Sequence, residues 1–137
     1  MKIKHLSVNS CRPKRSSEIL AELTNGEAKA FPSKTMTGAW MCVWSESDNE
    51  LIELIPLQYK LTFGDLAAIY EEQGEKQNFH ASHFMLEANK TVDELVAIAE
   101  KYQLTHRLRK HFGGPLYEVW LEDSLLVEFC SAEISKL

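Results

Sequence analysis

Four residues interrupt strand-like runs that are otherwise largely apolar: His5, Glu53, His83 and Glu128. Glu53 is flanked by Ile52 and Leu54, and Glu128 by Val127 and Phe129, so both carboxylates belong to segments that should be at least half buried. An ionised carboxylate in such a place is costly unless it is paired or binds a cation. Two imidazoles and two carboxylates suit a borderline divalent ion (Ni, Co, Zn, Fe or Mn) and leave positions for water or substrate oxygens. An open site of that kind polarises a carbonyl or an enediolate, or acidifies a bound water. Either Glu53 or Glu128 could also act as the catalytic base. A lone strand histidine is more often a core or edge residue, and a lone glutamate in Leu-Ile-Glu-Leu-Ile can be an edge charge that discourages aggregation. The four gain meaning together, because they fall at matched places in a duplicated chain.

The elements that must position them show that duplication. Residues 3–9 alternate as a strand, with Leu6 and Val8 on one face and Ile3, His5, Ser7 and Asn9 on the other. Pro13 suits the first turn of a helix near 13–25 carrying Ile19, Leu20 and Leu23, and Asn25-Gly26 can stop it. A hairpin follows: a strand from Gly38 to Trp44, a polar turn from Ser45 to Asn49, and a strand from Glu50 to Ile55 closed by Pro56. The second half repeats the plan. Phe84 and Leu86 alternate with His83, Met85 and Glu87, and Thr91 with Glu94 forms a capping box. A helix then carries Val92, Leu95, Ile98, Ala99 and Tyr102, and a hairpin joins Leu116–Leu121 to Leu125–Cys130. The stretches around Ala28–Thr37 and Thr105–His111 each leave room for one more strand. The fold class expected is α+β, with two tandem βαβββ modules forming a curved mixed sheet around a cavity. Module one is 1–57, module two is 79–137, and a connector spans 58–78. Within the connector, Asp65 could cap a short helix through Leu66, Ala67, Ile69 and Tyr70, ended by Gly74. The interval from His5 to Glu53 nearly equals that from His83 to Glu128.

The totals bound the function. With 137 residues, 45% of them hydrophobic and 26% charged, the chain is one ordinary domain that folds by burial. Cys11, Cys42 and Cys130 are odd in number, widely spaced and not arranged as CxxC, which argues against a disulfide framework and a zinc ribbon and fits a reducing compartment. No export signal or membrane span is legible, so the expectation is a cytoplasmic protein. A net charge of −5 offers a polyanion no general attraction, which argues against nucleic acid as a partner.

Other polar and aromatic residues have plainer readings. Glu118 and Trp120 precede the final strand; a three-residue hairpin loop sets Glu118 opposite Glu128, whereas a two-residue loop turns it away. Trp40, Cys42 and Trp44 could line a cavity, although core packing explains them as well. The basic stretch from Lys101 to His111, with His106, Arg107, Arg109, Lys110 and His111, reads as a solvated loop or as a holder for the anionic end of a substrate. His80 faces away from His83 in a continuous strand and is left out of the site.

Through Lys4-His5-Leu6, Ile52-Glu53-Leu54, Ser82-His83-Phe84 and Val127-Glu128-Phe129, the chain resembles the vicinal oxygen chelate superfamily over nearly its whole length. That superfamily includes glyoxalase I, extradiol dioxygenases, fosfomycin-modifying enzymes and bleomycin-sequestering proteins. The resemblance implies His5, Glu53, His83 and Glu128 as the metal-ligand set of bacterial glyoxalase I, with Glu53 or Glu128 as proton shuttle. It also implies a homodimer. The function expected is a divalent-metal-dependent, glyoxalase-like lyase or isomerase acting on a small carbonyl or hydroxy compound. The alternative is a metal-free, drug-sequestering protein on the same fold that binds a small molecule.

Overall fold

In a computed structural model of the chain, residues 5–33, 36–63, 68–72, 83–109, 115–122 and 125–137 are described. The strands are β1 (His5–Ser10), β2 (Glu27–Ala30), β3 (Trp40–Ser45), β4 (Glu50–Pro56), β5 (Tyr59–Phe63), β6 (Ala68–Glu72), β7 (His83–Glu87), β8 (Thr105–Arg109), β9 (Leu116–Glu122) and β10 (Leu125–Cys130). The helices are α1 (Pro13–Thr24) and α2 (Val92–Lys101), and a 3-10 turn covers Ile134–Lys136. Among the described residues no helix is long and apolar enough to cross a membrane.

Two four-stranded sheets have one topology, β1-β4-β3-β2 and β7-β10-β9-β8, so each module contributes strand, helix and three strands. In each, the first strand lies parallel to the last and the other pairs are antiparallel. The room left for one more strand in each half is taken by β2 and β8. The duplication extends to the register. His5 stands beside Leu51 and Ser7 beside Glu53 in the first sheet; His83 stands beside Leu126 and Met85 beside Glu128 in the second. Each histidine therefore opens its strand, and each glutamate lies two residues beyond that histidine's partner.

Helix α1 starts at Pro13, whose ring pre-sets the backbone, and ends at Asn25 in the left-handed conformation, φ 56°. Its own N-cap residue, Arg12, supplies no side-chain cap. The second module does so instead: Glu122 of β9 accepts from the Arg12 and Cys11 amides at 3.0 and 2.9 Å, and from the hydroxyls of Ser10 and Ser16. Helix α2 carries the expected capping box between Thr91 and Glu94.

One hydrophobic core joins the modules. It combines Ile19, Leu20 and Leu23 of α1, Ile52 and Leu54 of β4, Leu95 and Ile98 of α2, and Val119, Val127 and Phe129 of the second sheet. Burying each such side chain contributes roughly 1.5–3 kcal/mol. Polar contacts tie the same boundary: Lys101 and Tyr102 to Glu22, Arg15 to the Tyr102 carbonyl, and Asn89 to the Thr24 carbonyl.

The connector departs from expectation. Where a helix through Leu66, Ala67, Ile69 and Tyr70 was expected, residues 68–72 are strand β6, paired antiparallel with β5; residues 64–67 and 73–78 lie outside the described residues. Tyr59 and Tyr70 of this hairpin join Ile55, Met36, Ala39 and Phe31 in a small second cluster. Pairing with β5 satisfies the backbone of 68–72 in a way that a run this short could not achieve as an isolated helix.

Candidate metal centre

Alternation along the strands decides what each sheet shows. In the first sheet Leu6, Val8, Cys42, Ile52 and Leu54 belong to the shared core, so His5, Ser7 and Glu53 project from the other face. In the second, Phe84, Leu86, Val119, Val127 and Phe129 take the core side. His83, Met85, Glu128, Glu118, Arg107 and Arg109 project from the outer one. All four residues expected as ligands therefore stand on outer faces, directed away from the core.

The two pairs differ in their surroundings. His5 is exposed and Glu53 half-buried. The Ser7 hydroxyl donates to Glu53 Oε2. His5 Nδ1 lies 3.1 Å from the Asn49 amide, which can present either its NH2 or its oxygen. With the oxygen inward, Nδ1 donates and the Nε2 lone pair is left for a cation, the usual way a ligating imidazole is oriented. In the second sheet Glu128 is buried, at 9% exposure. Its Oε2 is 4.0 Å from His83 Nε2, a gap no wider than two ligand bonds of ~2 Å each to a common ion.

Glu118 shares that face. Only residues 123 and 124 separate β9 from β10, a spacing that would turn Glu118 away. The register, however, shifts by one between Leu125 and Leu126, leaving Leu121 without a partner and setting Glu118 directly across from Glu128. This bulge does what a longer loop would have done. Glu118 is 4% exposed and is held by two cations. Arg107 Nε donates to its Oε2 at 2.6 Å, and Arg109 Nε lies 2.9 Å from its Oε1. Arg109 also reaches back, its Nη2 standing 3.5 Å from Glu128 Oε1.

These arginines correct the solvated-loop reading of the basic stretch. Residues 105–109 are strand β8, with Arg107 beside Glu118 and Arg109 beside Leu116. His106, of opposite parity, turns to the core side and meets the Tyr117 hydroxyl at 2.8 Å. Lys110, His111 and His80 lie outside the described residues. Trp40, Cys42 and Trp44 line no part of this face: Cys42 is in the core, Trp44 Nε1 donates to Thr24 Oγ1, and Lys14 Nζ sits over the Trp40 ring.

Within one chain the pairs remain apart. Among the described residues no group of three or more His, Cys, Asp or Glu side chains could hold an ion together. The donor types still fit a borderline divalent ion. Each module presents half of such a set.

No protein family model matches the sequence, and neither does any curated protein. Solved structures do match. The fosfomycin resistance protein FosX from Mesorhizobium loti is similar over 98% of this chain and 95% of its own, with TM-score 0.59 and 10% identity. A mutant of FosX from Listeria monocytogenes, complexed with Mn(II) and 1S,2S-dihydroxypropylphosphonic acid, matches over 93% of this chain and 90% of its own, with TM-score 0.58 and 14% identity. An integron cassette protein from the mobile metagenome of V. Pseudocholerae covers 96% and 95%, with TM-score 0.58 and 12% identity. The paired βαβββ architecture of this chain is thus a fold that it shares with these FosX and integron cassette structures.

Proposed function

We propose, on this shared vicinal oxygen chelate fold, that the protein is a divalent-metal-dependent enzyme of the glyoxalase-like kind acting on a small carbonyl or hydroxy compound. Its site would be completed when a second copy brings His5 and Glu53 of one chain against His83 and Glu128 of the other. The observation that carries this reading is the register: histidine and glutamate recur at equivalent positions of two equivalent sheets, on the faces that do not pack into the core. A core shared by both modules, with α1 held at several points by the second module, opposes any rearrangement that would bring the two faces together within one chain. The Mn(II) and diol phosphonate held by a structural neighbour agree with a small, oxygen-rich ligand.

His5, His83 and Glu128 would hold the ion, with Glu53 as a fourth ligand. When bound, the ion would supply Lewis acidity toward a substrate oxygen. Glu53 would take up and return a proton, a role supported by its half-buried setting and by the Ser7 hydroxyl that keeps its carboxylate oriented. Arg107 and Arg109 would offset the charge of Glu118 and Glu128 beside the site and hold those carboxylates in place.

A second reading, a metal-free binding protein on the same fold, draws support from one observation: Glu128 already has Arg109 as a charged neighbour and so does not require a cation to be buried. One experiment separates the two. Metal content and thermal stability are measured for the wild type, His5→Ala and His83→Ala. An enzyme of the proposed kind carries metal that both substitutions remove, and divalent ions raise its melting temperature. A metal-free binder responds to small organic ligands and to no ion.

A further inference from the structure

We propose that Arg109, anchored by Glu118, positions Glu128 so that a single carboxylate oxygen faces the cation, and thereby sets how tightly the site holds a divalent ion. The inference rests on reading His83 and Glu128 as ligands. The two oxygens of Glu128 have different neighbours: Oε1 faces Arg109 Nη2 at 3.5 Å and Oε2 faces His83 Nε2 at 4.0 Å. A guanidinium keeps its charge and its planar fork under all ordinary conditions, so Oε1 stays engaged and only Oε2 is offered. Arg109 is itself divided, because its Nε stands 2.9 Å from Glu118 Oε1. Glu118 is fixed in turn: its other oxygen takes Arg107 at 2.6 Å, and its side chain is only 5% exposed. How much of Arg109 is left for Glu128 therefore depends on Glu118.

Opposite consequences follow for the two residues. Glu118→Gln removes the competing charge, so that Arg109 attracts Glu128 more strongly and draws that carboxylate away from the ion. Arg109→Gln frees Oε1 as a second donor and removes a positive charge from beside the cation. A residue that merely maintained the fold could not shift ion affinity both ways.

The test uses full-length protein stripped with a chelator and titrated with Mn(II), free ion being followed by electron paramagnetic resonance and folding by circular dichroism. Glu118→Gln is expected to weaken binding about tenfold or more, the usual effect of losing an outer partner. Arg109→Gln is expected to tighten it by roughly tenfold, the order expected on removing a full charge a few ångströms from a divalent ion. Should Arg109→Gln not fold, Arg109→Lys replaces it. The ammonium keeps the charge but cannot span both carboxylates, so a smaller tightening is expected. Shifts in the same direction, or unchanged affinity, overturn the inference while leaving the ligand reading intact, provided His83→Ala abolishes binding. Wild-type protein that takes up no Mn(II), or binding that survives His83→Ala, overturns both.

Discussion

Glu118 stands directly across the β9–β10 ladder from Glu128, and Arg109 lies between their carboxylates, 2.9 Å from one and 3.5 Å from the other. Like charges opposed across a strand pair repel, and burial makes the repulsion worse. The arrangement is tolerable because Arg107 and Arg109 enter the same face from β8. The outer face of the second sheet thus carries a built-in charge balance.

The balance predicts an asymmetric response to mutation. Glu118→Ala removes the carboxylate that lies 2.9 Å from Arg109 Nε, on a side chain only 22% exposed. The expected loss is about 2–3 kcal/mol, below the full cost of breaking a buried pair because Arg107 reaches solvent. Urea unfolding measures it, and a loss below about 0.5 kcal/mol, the scale of an exposed pair, would show that the network is only superficial.

Glu122 gives a pH-dependent prediction. Burial pushes its carboxyl up, but hydrogen bonds from Cys11, Ser10 and Ser16 together outweigh burial and hold it below the ordinary value of 4.5. A depressed folded-state pKa contributes stability that is present above the unfolded value and lost as pH falls through the folded one. Glu122→Gln should therefore cost about 1–3 kcal/mol near neutral pH, since it weakens the α1 cap and several hydrogen bonds. The gap between wild type and variant should narrow once the pH drops below about 4.5. Denaturant titrations at neutral pH and in acid give both numbers; a gap that widens in acid would contradict the assignment.

Gly26 tests the packing behind the first sheet. A Cβ there would meet Cys42 Sγ at 2.8 Å, Trp44 Nε1 at 3.1 Å and the Val43 carbonyl at 3.2 Å. Gly26→Ala is expected to destabilise by about 1–3 kcal/mol, the usual cost of overpacking, and to disturb the Trp44–Thr24 hydrogen bond. Tryptophan fluorescence during thermal unfolding reports both effects.

How much of this was legible from sequence depends on the kind of signal. The Thr91–Glu94 box, Pro13 and Asn25 are local devices whose partners lie within one turn, and each appears where the sequence places it. The matched faces of His5 and Glu53, and of His83 and Glu128, follow from period-two alternation in strands with a firmly apolar core side. The β5–β6 hairpin was not legible because each strand is too short to separate from a helical turn by periodicity, and its choice is made by the partner strand. Position 118 could not be assigned because a single bulged residue, Leu121, reverses the inference from loop length. The arginines carried a signal that their charge obscured: in Thr105-His106-Arg107-Leu108-Arg109 the alternation of His106 and Leu108 against Arg107 and Arg109 already marks a strand with both guanidiniums on one side.

The most direct test of a site shared between two copies is complementation. His5→Ala and His83→Ala chains, each expected to bind no metal alone, are produced together and the mixed dimer is isolated by two different tags. A shared site predicts that the mixed dimer regains one intact site, formed by His5 of one chain and His83 of the other, and takes up half the metal of the wild type. A mixed dimer that stays empty, or a single variant that keeps its metal, would contradict it.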